Sequence, residues 1–506
     1  MTDTSNKLLP RPEFPLLLAL AAARLLLHLV LNQHYGYHRD ELQVLADAQA
    51  LDWGYVPYPP LTPWLGRVEL ILFGTSLTGL RAFAALSQCL AMVVAGLIAR
   101  ELGGRRTAQL VAALATACMP FSLVSSGLFV YSSIDFLWWV LAAWLLLRLV
   151  NGGDPRGWLL LGAVFGLGLM TRYTILVLAA GVAIGLLATP LRKQLLTPWP
   201  WLGVGVAVLI FLPNLIWQWR HDFIYLDFVQ HIHARDVRWG RTQGYWVEQL
   251  YANASALTLP LWLGGLAALV LTEALRPYRI LAIIFVAVLV LYALSGGRGY
   301  YAAPAYPMLL AAGAVALESR LATMRPVAAN AVRAAAAVAL ILAGASSALT
   351  GLQIGAVNSA IWNLSRKLHD AFAEQIGWPE YMEQLATVYR ALPETERAHT
   401  AILTNNYGEA GAIDLYGPAL GLPRALSRTN TYWYRGRDAM PPQTVIVLGD
   451  DSEGMAKAPA TCTLAGRFSN REGVVNEESK FNPEIFVCRD LRVPWSQIWG
   501  TKPRFG

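Results

Sequence analysis

Charged side chains are scarce in this sequence. Asp, Glu, Lys and Arg make up 14% of the 506 residues, against about 25% in an ordinary soluble domain. With 55% of residues hydrophobic, that deficit argues against a water-soluble enzyme and against a disordered chain. Cysteine is scarce too, at four residues, too few for a disulfide scaffold. Cys89 and Cys118 fall inside apolar runs and read as small core hydrophobes. Cys462 and Cys488 lie in a polar tail and would bridge there if that tail is outside the cytoplasm. A glycine-rich nucleotide loop is missing, and no cytoplasmic domain exists to host one. His221, His231 and His233 have no ligand-like company, so no cofactor or metal is assigned, although a divalent ion is left open. The net charge of +7 sits mostly in short gaps between apolar runs, as in cytoplasmic membrane loops and not on a nucleic-acid surface.

Long apolar runs are what the chain does have. A bilayer crossing needs about 20 apolar residues. Eleven candidate spans stand out, near 14–31, 80–99, 107–127, 132–150, 157–170, 174–188, 200–216, 251–272, 279–295, 301–317 and 333–352. The fifth and sixth are short and separated by Thr171-Arg172-Tyr173, which predicts a hairpin. The first run follows a leader without a cleavage site and is expected to stay as an anchor. Lys7 and Arg11, Arg100, Arg105 and Arg106, Arg148 and Arg156, Arg192 and Lys193, Arg276 and Arg279, and Arg320, Arg325 and Arg333 fall on one side of these spans. The positive-inside rule makes that side cytoplasmic and puts the tail outside. The stretch Arg235–Arg241 violates the rule, and anion binding is one reason it could.

The expected architecture is therefore a polytopic α-helical membrane protein with a C-terminal extracytoplasmic α/β domain. Residues 1–352 would form the transmembrane domain, with outer loops at 32–79 and 217–250, and 353–506 a soluble domain. The tail has strand-like segments at Thr400–Thr404 and Thr444–Leu448 and a helical pattern over 359–391.

Chemistry-bearing residues gather at the predicted outer boundary. Asp40 and Glu41 directly follow the first span, where charge is costly to bury and marks a site by default. The bland alternative is solvated charge paired with Arg39. Asp135, at the outer mouth of the fourth span, is nearly the only charge between Arg106 and Arg148, and it reads either as a cavity-facing acid or as a helix N-cap. Arg172 and Arg298 each reach the same boundary. A guanidinium fork suits a phosphate oxyanion, while snorkelling toward headgroups is the dull explanation.

Gly36-Tyr37-His38-Arg39-Asp40-Glu41-Leu42, Pro59-Pro60-Leu61, Ala99-Arg100-Glu101-Leu102-Gly103-Gly104, Thr171-Arg172-Tyr173-Thr174, Pro213-Asn214-Leu215-Ile216-Trp217-Gln218 and Gly299-Tyr300-Tyr301 occur in order over residues 30–310. In these stretches the chain resembles the family 39 membrane glycosyltransferases of the C-type fold, which include protein O-mannosyltransferases and lipid A aminoarabinose transferases. In the tail, Asn405-Asn406-Tyr407-Gly408-Glu409-Ala410-Gly411 and Tyr432-Trp433 resemble bacterial members.

The resemblance implies inverting sugar transfer from a polyprenyl-phosphate donor to a lipid, glycan or protein acceptor on the outer face of the cytoplasmic membrane. It makes Asp40 the base and maps the family's second-loop acid onto Asp135. Place at the same outer boundary adds Glu41, orienting or helping to bind the acceptor, and puts Arg172, Arg298 and Tyr301 at the donor phosphate. Two positions depart from the family pattern: Tyr58 stands where a lysine or histidine often precedes the Pro-Pro turn, and Arg172 replaces the usual lysine. A polytopic transporter or lipid-carrier flippase is the rival reading. The asymmetric first loop, the folded tail and the lack of inverted repeats speak against it.

Overall fold

The computed structural model describes residues 9–506, so Lys7 lies outside the described residues. The chain forms two compact units. One comprises residues up to Leu31 with Arg81–Arg220 and His233–Leu352, and the other Asn32–Leu80, His221–Ile232 and Gln353–Gly506. The division differs from a single cut at residue 352. The first loop, 32–79 in the sequence reading, belongs to the same compact unit as the tail.

The first unit is helical because its apolar runs leave the backbone only itself to hydrogen-bond with in lipid. Each of the eleven sequence runs coincides with helix, but not all are long enough to cross unaided. Among the described residues, seven helices are long and apolar enough, including Phe14–Leu31, Leu77–Glu101, Tyr131–Val150 and Pro198–Arg220. Three further candidates are bent pairs, Arg106–Ala117 with Pro120–Ser126 at 64°, Ile175–Leu187 with Pro190–Leu196 at 105°, and Tyr245–Tyr251 with Ala256–Leu271 at 77°. In the first two, a proline opens the second piece, where its missing N–H costs nothing. Gly157–Leu169 has 13 residues, about 20 Å of helix against a hydrocarbon core of about 30 Å. It and Ile175–Leu187 are the short pair separated by Thr171-Arg172-Tyr173. Small residues let helices approach closely: a Cβ on Gly162 would collide with the Gly203 carbonyl.

In the second unit the tail builds a five-stranded sheet: β1 (Thr400–Thr404), β2 (Ala425–Ser427), β3 (Thr444–Leu448), β4 (Thr461–Arg467) and β5 (Glu484–Arg489). The order is β2-β1-β3-β5-β4, with β2, β1 and β3 parallel and β5 antiparallel to both of its neighbours. β1 and β3 occupy the two segments where the sequence is strand-like. β3 is buried along its whole length, which explains why Thr444-Val445-Ile446-Val447-Leu448 reads as a continuous apolar run. Cys462 and Cys488 face each other across β4 and β5 and are disulfide-bonded, as their shared place in the tail suggested. Cys89 is free and buried, and Cys118 free and partly buried.

The first loop is fastened to the tail inside this unit. Asp47, fully buried, ion-pairs with Arg435 and accepts a 2.5 Å hydrogen bond from the Tyr58 hydroxyl at Oδ2. Tyr58 thus has a structural partner in the buried Asp47. Removing one member of a buried pair strands the other's charge, at a cost of about 3–5 kcal/mol. Asp47→Ala is therefore expected to destabilise the protein by about that amount in chemical unfolding of the full chain in detergent. An unchanged midpoint would show that the network contributes nothing.

Candidate active site

Each unit carries part of the expected set. In the second unit, Asp40 and Glu41 open the helix Arg39–Gln49, and His38 caps it. The Asp40 backbone N–H donates to His38 Nδ1 at 3.2 Å, and Glu41 Oε2 accepts from the His38 N–H at 2.9 Å. This reciprocal arrangement is a capping box. Glu41 is fully buried in that role, which explains its presence beside Asp40 without any contact to substrate. Asp40 differs sharply, with its side chain 49% exposed. Its Oδ1 accepts from the Tyr407 hydroxyl at 2.7 Å, and His38 Nδ1 stands 3.8 Å from Oδ2. Arg39 does not neutralise Asp40; it ion-pairs with Glu477 and lies over the Tyr407 ring, 5.0 Å from its centroid.

Behind this surface lies an acidic interior. Glu374, Glu409 and Glu478 surround Arg39. Burial, then the neighbouring Glu478 charge, pushes both Glu374 and Glu409 up to about 8. Burial also raises Glu478. Protons held there at neutral pH relieve the repulsion that three buried carboxylates around one guanidinium would otherwise create.

In the first unit, Asp135 occupies the fifth position of the helix Tyr131–Val150, whose N-cap is Val130. The N-cap explanation of this acid is therefore wrong: the cap precedes it by a full turn. It is 1% exposed, with Arg172, Trp139 and Thr174 as its polar neighbours. Arg172 lies in the turn between Gly157–Leu169 and Ile175–Leu187. Two rings hold its guanidinium, Tyr131 at 5.0 Å and Tyr301 at 4.9 Å, a geometry that uses the planar ion's affinity for π faces. The turn is itself tied down: the Trp138 indole donates to Thr171 Oγ1 at 2.9 Å, and the Tyr173 hydroxyl to Asn214 Oδ1 at 2.6 Å. Arg172 is thus a fixed cation, partly buried, beside a buried acid.

Arg298 interacts electrostatically with Tyr300 and Tyr301, so Asp135, Arg172, Tyr301 and Arg298 do come together. Its fork is already engaged, however. Nε and Nη2 each donate to a separate Asp236 oxygen at 2.6 Å. Arg235 and Arg241 approach the same carboxylate at 3.6 and 3.9 Å. Two of the arginines that violate the positive-inside rule, Arg235 and Arg241, therefore converge on an internal anion. Asp236 was visible in the sequence as the lone acid within that basic stretch, and Tyr407 as part of Asn405–Gly411, but neither contact could be read without the fold. Among the described residues, no group of three or more His, Cys, Asp or Glu side chains is arranged to hold a metal ion.

Known proteins resemble this chain in sequence and in fold. Residues 57–217 match the family model of dolichyl-phosphate-mannose-protein mannosyltransferase. An undecaprenyl phosphate-alpha-4-amino-4-deoxy-L-arabinose arabinosyl transferase of Pseudomonas fluorescens is 28% identical over 270 residues, 48% of this chain and 45% of the relative. The lipid A galacturonosyltransferase RgtD of Rhizobium johnstonii is 28% identical over 184 residues, 36% of this chain and 38% of its own length. The matched stretches thus span less than half of these curated relatives. Among solved structures, ArnT from Cupriavidus metallidurans bound to undecaprenyl phosphate superposes with a TM-score of 0.56 at 15% identity, over 94% of this chain and 97% of that one. The arabinofuranosyltransferase AftD from Mycobacteria gives 0.54 at 17% identity, over 94% and 40%. At such identities the agreement is one of fold.

Proposed function

We propose that this chain is an ArnT-like membrane glycosyltransferase of the C-type fold and transfers a sugar from a polyprenyl-phosphate donor to an acceptor hydroxyl, with inversion, at the outer face of the bacterial inner membrane. The observation that carries the proposal is Arg172, a partly buried guanidinium held between two tyrosine rings beside the buried Asp135. A cation fixed in this way suits a lipid-linked phosphate, and the fold is shared with a structure that holds undecaprenyl phosphate.

In the proposed reaction the acceptor oxygen attacks C1 of the sugar while the bond from C1 to the phosphate oxygen breaks. Asp40 takes the acceptor proton, and the departing phosphate keeps the bonding electron pair. Arg172 stabilises the charge that grows on it, with Tyr301 holding the guanidinium flat. Arg298 enters as a supporting residue, since its fork is committed to Asp236. Glu41 acts by capping the helix that carries Asp40. The acceptor's class, lipid, glycan or protein, is an outcome of the assay. Purified protein incubated with polyprenyl-phosphate sugars and candidate acceptors should release polyprenyl phosphate. Passage of an intact donor across vesicles without release would favour a flippase.

The orientation follows from the arginine alternation. A cytoplasmic N-terminus and an outer tail require an odd number of crossings; the seven long helices satisfy this alone, and with the three bent pairs as spans it is satisfied if the short helix Gly157–Leu169 also crosses. A reporter that is active only outside the cytoplasm, fused after residue 355, is expected to be active. A silent fusion that is stably expressed would reverse the assignment.

A further inference from the structure

The proposed base sits in the first loop, but the group that holds its carboxylate comes from the tail of the same unit. We propose that Tyr407 is a positioning residue for Asp40, fixing Oδ1 so that Oδ2 is left open to accept the proton. The inference rests on the reading of Asp40 as the base.

The Tyr407 hydroxyl donates to Asp40 Oδ1 at 2.7 Å, 367 positions away in sequence. A carboxylate on a helix N-terminus rotates freely unless an oxygen is pinned, and a charge-assisted O–H···O bond of this length pins it. His38 Nδ1 stands 3.8 Å from Oδ2, beyond hydrogen-bond range. Burial and the adjacent Asp40 charge raise the phenol well above its ordinary range. It therefore stays a donor throughout the working pH range and cannot compete for the transferred proton. Its ring is held by the Arg39 guanidinium, itself ion-paired with Glu477.

Several neighbours in the Asn406–Gly411 stretch serve this placement. Asn406 caps the helix Tyr407–Leu420, its Oδ1 accepting from the Glu409 N–H at 2.8 Å. Gly408 and Gly411 bring that helix against Arg39–Gln49. A Cβ on Gly408 would stand 2.9 Å from Arg39 Cβ, and one on Gly411 2.6 Å from the Leu42 carbonyl oxygen. Larger residues would push the phenol away from the carboxylate. The arrangement makes the soluble part of the chain a participant in the chemistry.

The test is a double-mutant cycle on the full-length protein in detergent, with transfer rate and donor KM read for Tyr407→Phe, Asp40→Asn and the pair. Losing one hydrogen bond to a charged group is expected to lower kcat about 10–100-fold in Tyr407→Phe, with donor KM unchanged. In the Asp40→Asn background the same substitution is expected to cost nothing further, because Tyr407 acts through the carboxylate. An equal loss in both backgrounds, a loss of donor affinity, or a normal kcat in Tyr407→Phe while Asp40→Asn is inactive would each overturn the positioning role and leave the base intact. Normal transfer by Asp40→Asn would instead remove the base, and the positioning role with it.

Discussion

Asp40→Asn is expected to slow single-turnover sugar transfer about 10²–10⁴-fold, the range for loss of a general base, while donor binding persists. The substitution keeps the size of the side chain and its place at the start of Arg39–Gln49. The His38 cap is made by the Asp40 backbone N–H and by Glu41, so neither contact depends on the Asp40 carboxylate. The helix cap is thus left alone, while proton acceptance and the charge behind the Tyr407 hydrogen bond are removed. Without the carboxylate the acceptor hydroxyl has no base to take its proton as it attacks, and a neutral hydroxyl is a poor nucleophile, which is why the loss should appear in the chemical step and not in KM. Transfer at the wild-type rate would exclude Asp40 as base. Loss of transfer together with donor binding would point to unfolding, which a thermal scan distinguishes.

Arg172→Ala is expected to lower kcat about 10²–10³-fold, as for removal of one preorganised donor to developing negative charge, and to raise donor KM. Arg172→Lys should retain donor binding better than the alanine variant, since charge survives, yet it loses the planar fork and its stacking between Tyr131 and Tyr301. Removal of Arg172 also leaves Asp135 buried without its cation, so the alanine variant should be compared with Arg172→Ala, Asp135→Asn. If the double variant regains stability but not transfer, the catalytic loss belongs to Arg172. Arg298→Ala is expected to affect donor use much less, because both arms of its fork serve Asp236. Normal kcat and KM in Arg172→Ala would leave snorkelling as the explanation of this arginine.

The membrane-spanning half of the fold was legible because hydrophobicity in lipid is a local property. Leu16–Leu31 or Ile280–Leu294 must be helical whatever surrounds them, since each backbone group has to find its partner within the segment. The strands at Thr400–Thr404 and Thr444–Leu448 were legible for the same local reason, β-branched and apolar residues in short bounded runs. Spans broken at Pro120 and Pro190 were less so: composition shows that a segment is apolar but does not report the angle at which it turns.

The amino-acid sequence by itself determined where the chain is apolar, which acids and arginines lie where charge is costly, and that the tail folds around a sheet. Those are statements about single residues against water or lipid. Tertiary structure alone decided what each of these residues touches. It made Glu41 a capping group and left Asp40 half exposed, though the two are adjacent and chemically alike. It gave Arg172 two aromatic faces and Arg298 a carboxylate, though both lie at similar turns. It bound Asp40 to Tyr407 across 367 positions. Pairings of this kind depend on which elements meet and at what spacing, and no periodicity in the chain encodes them.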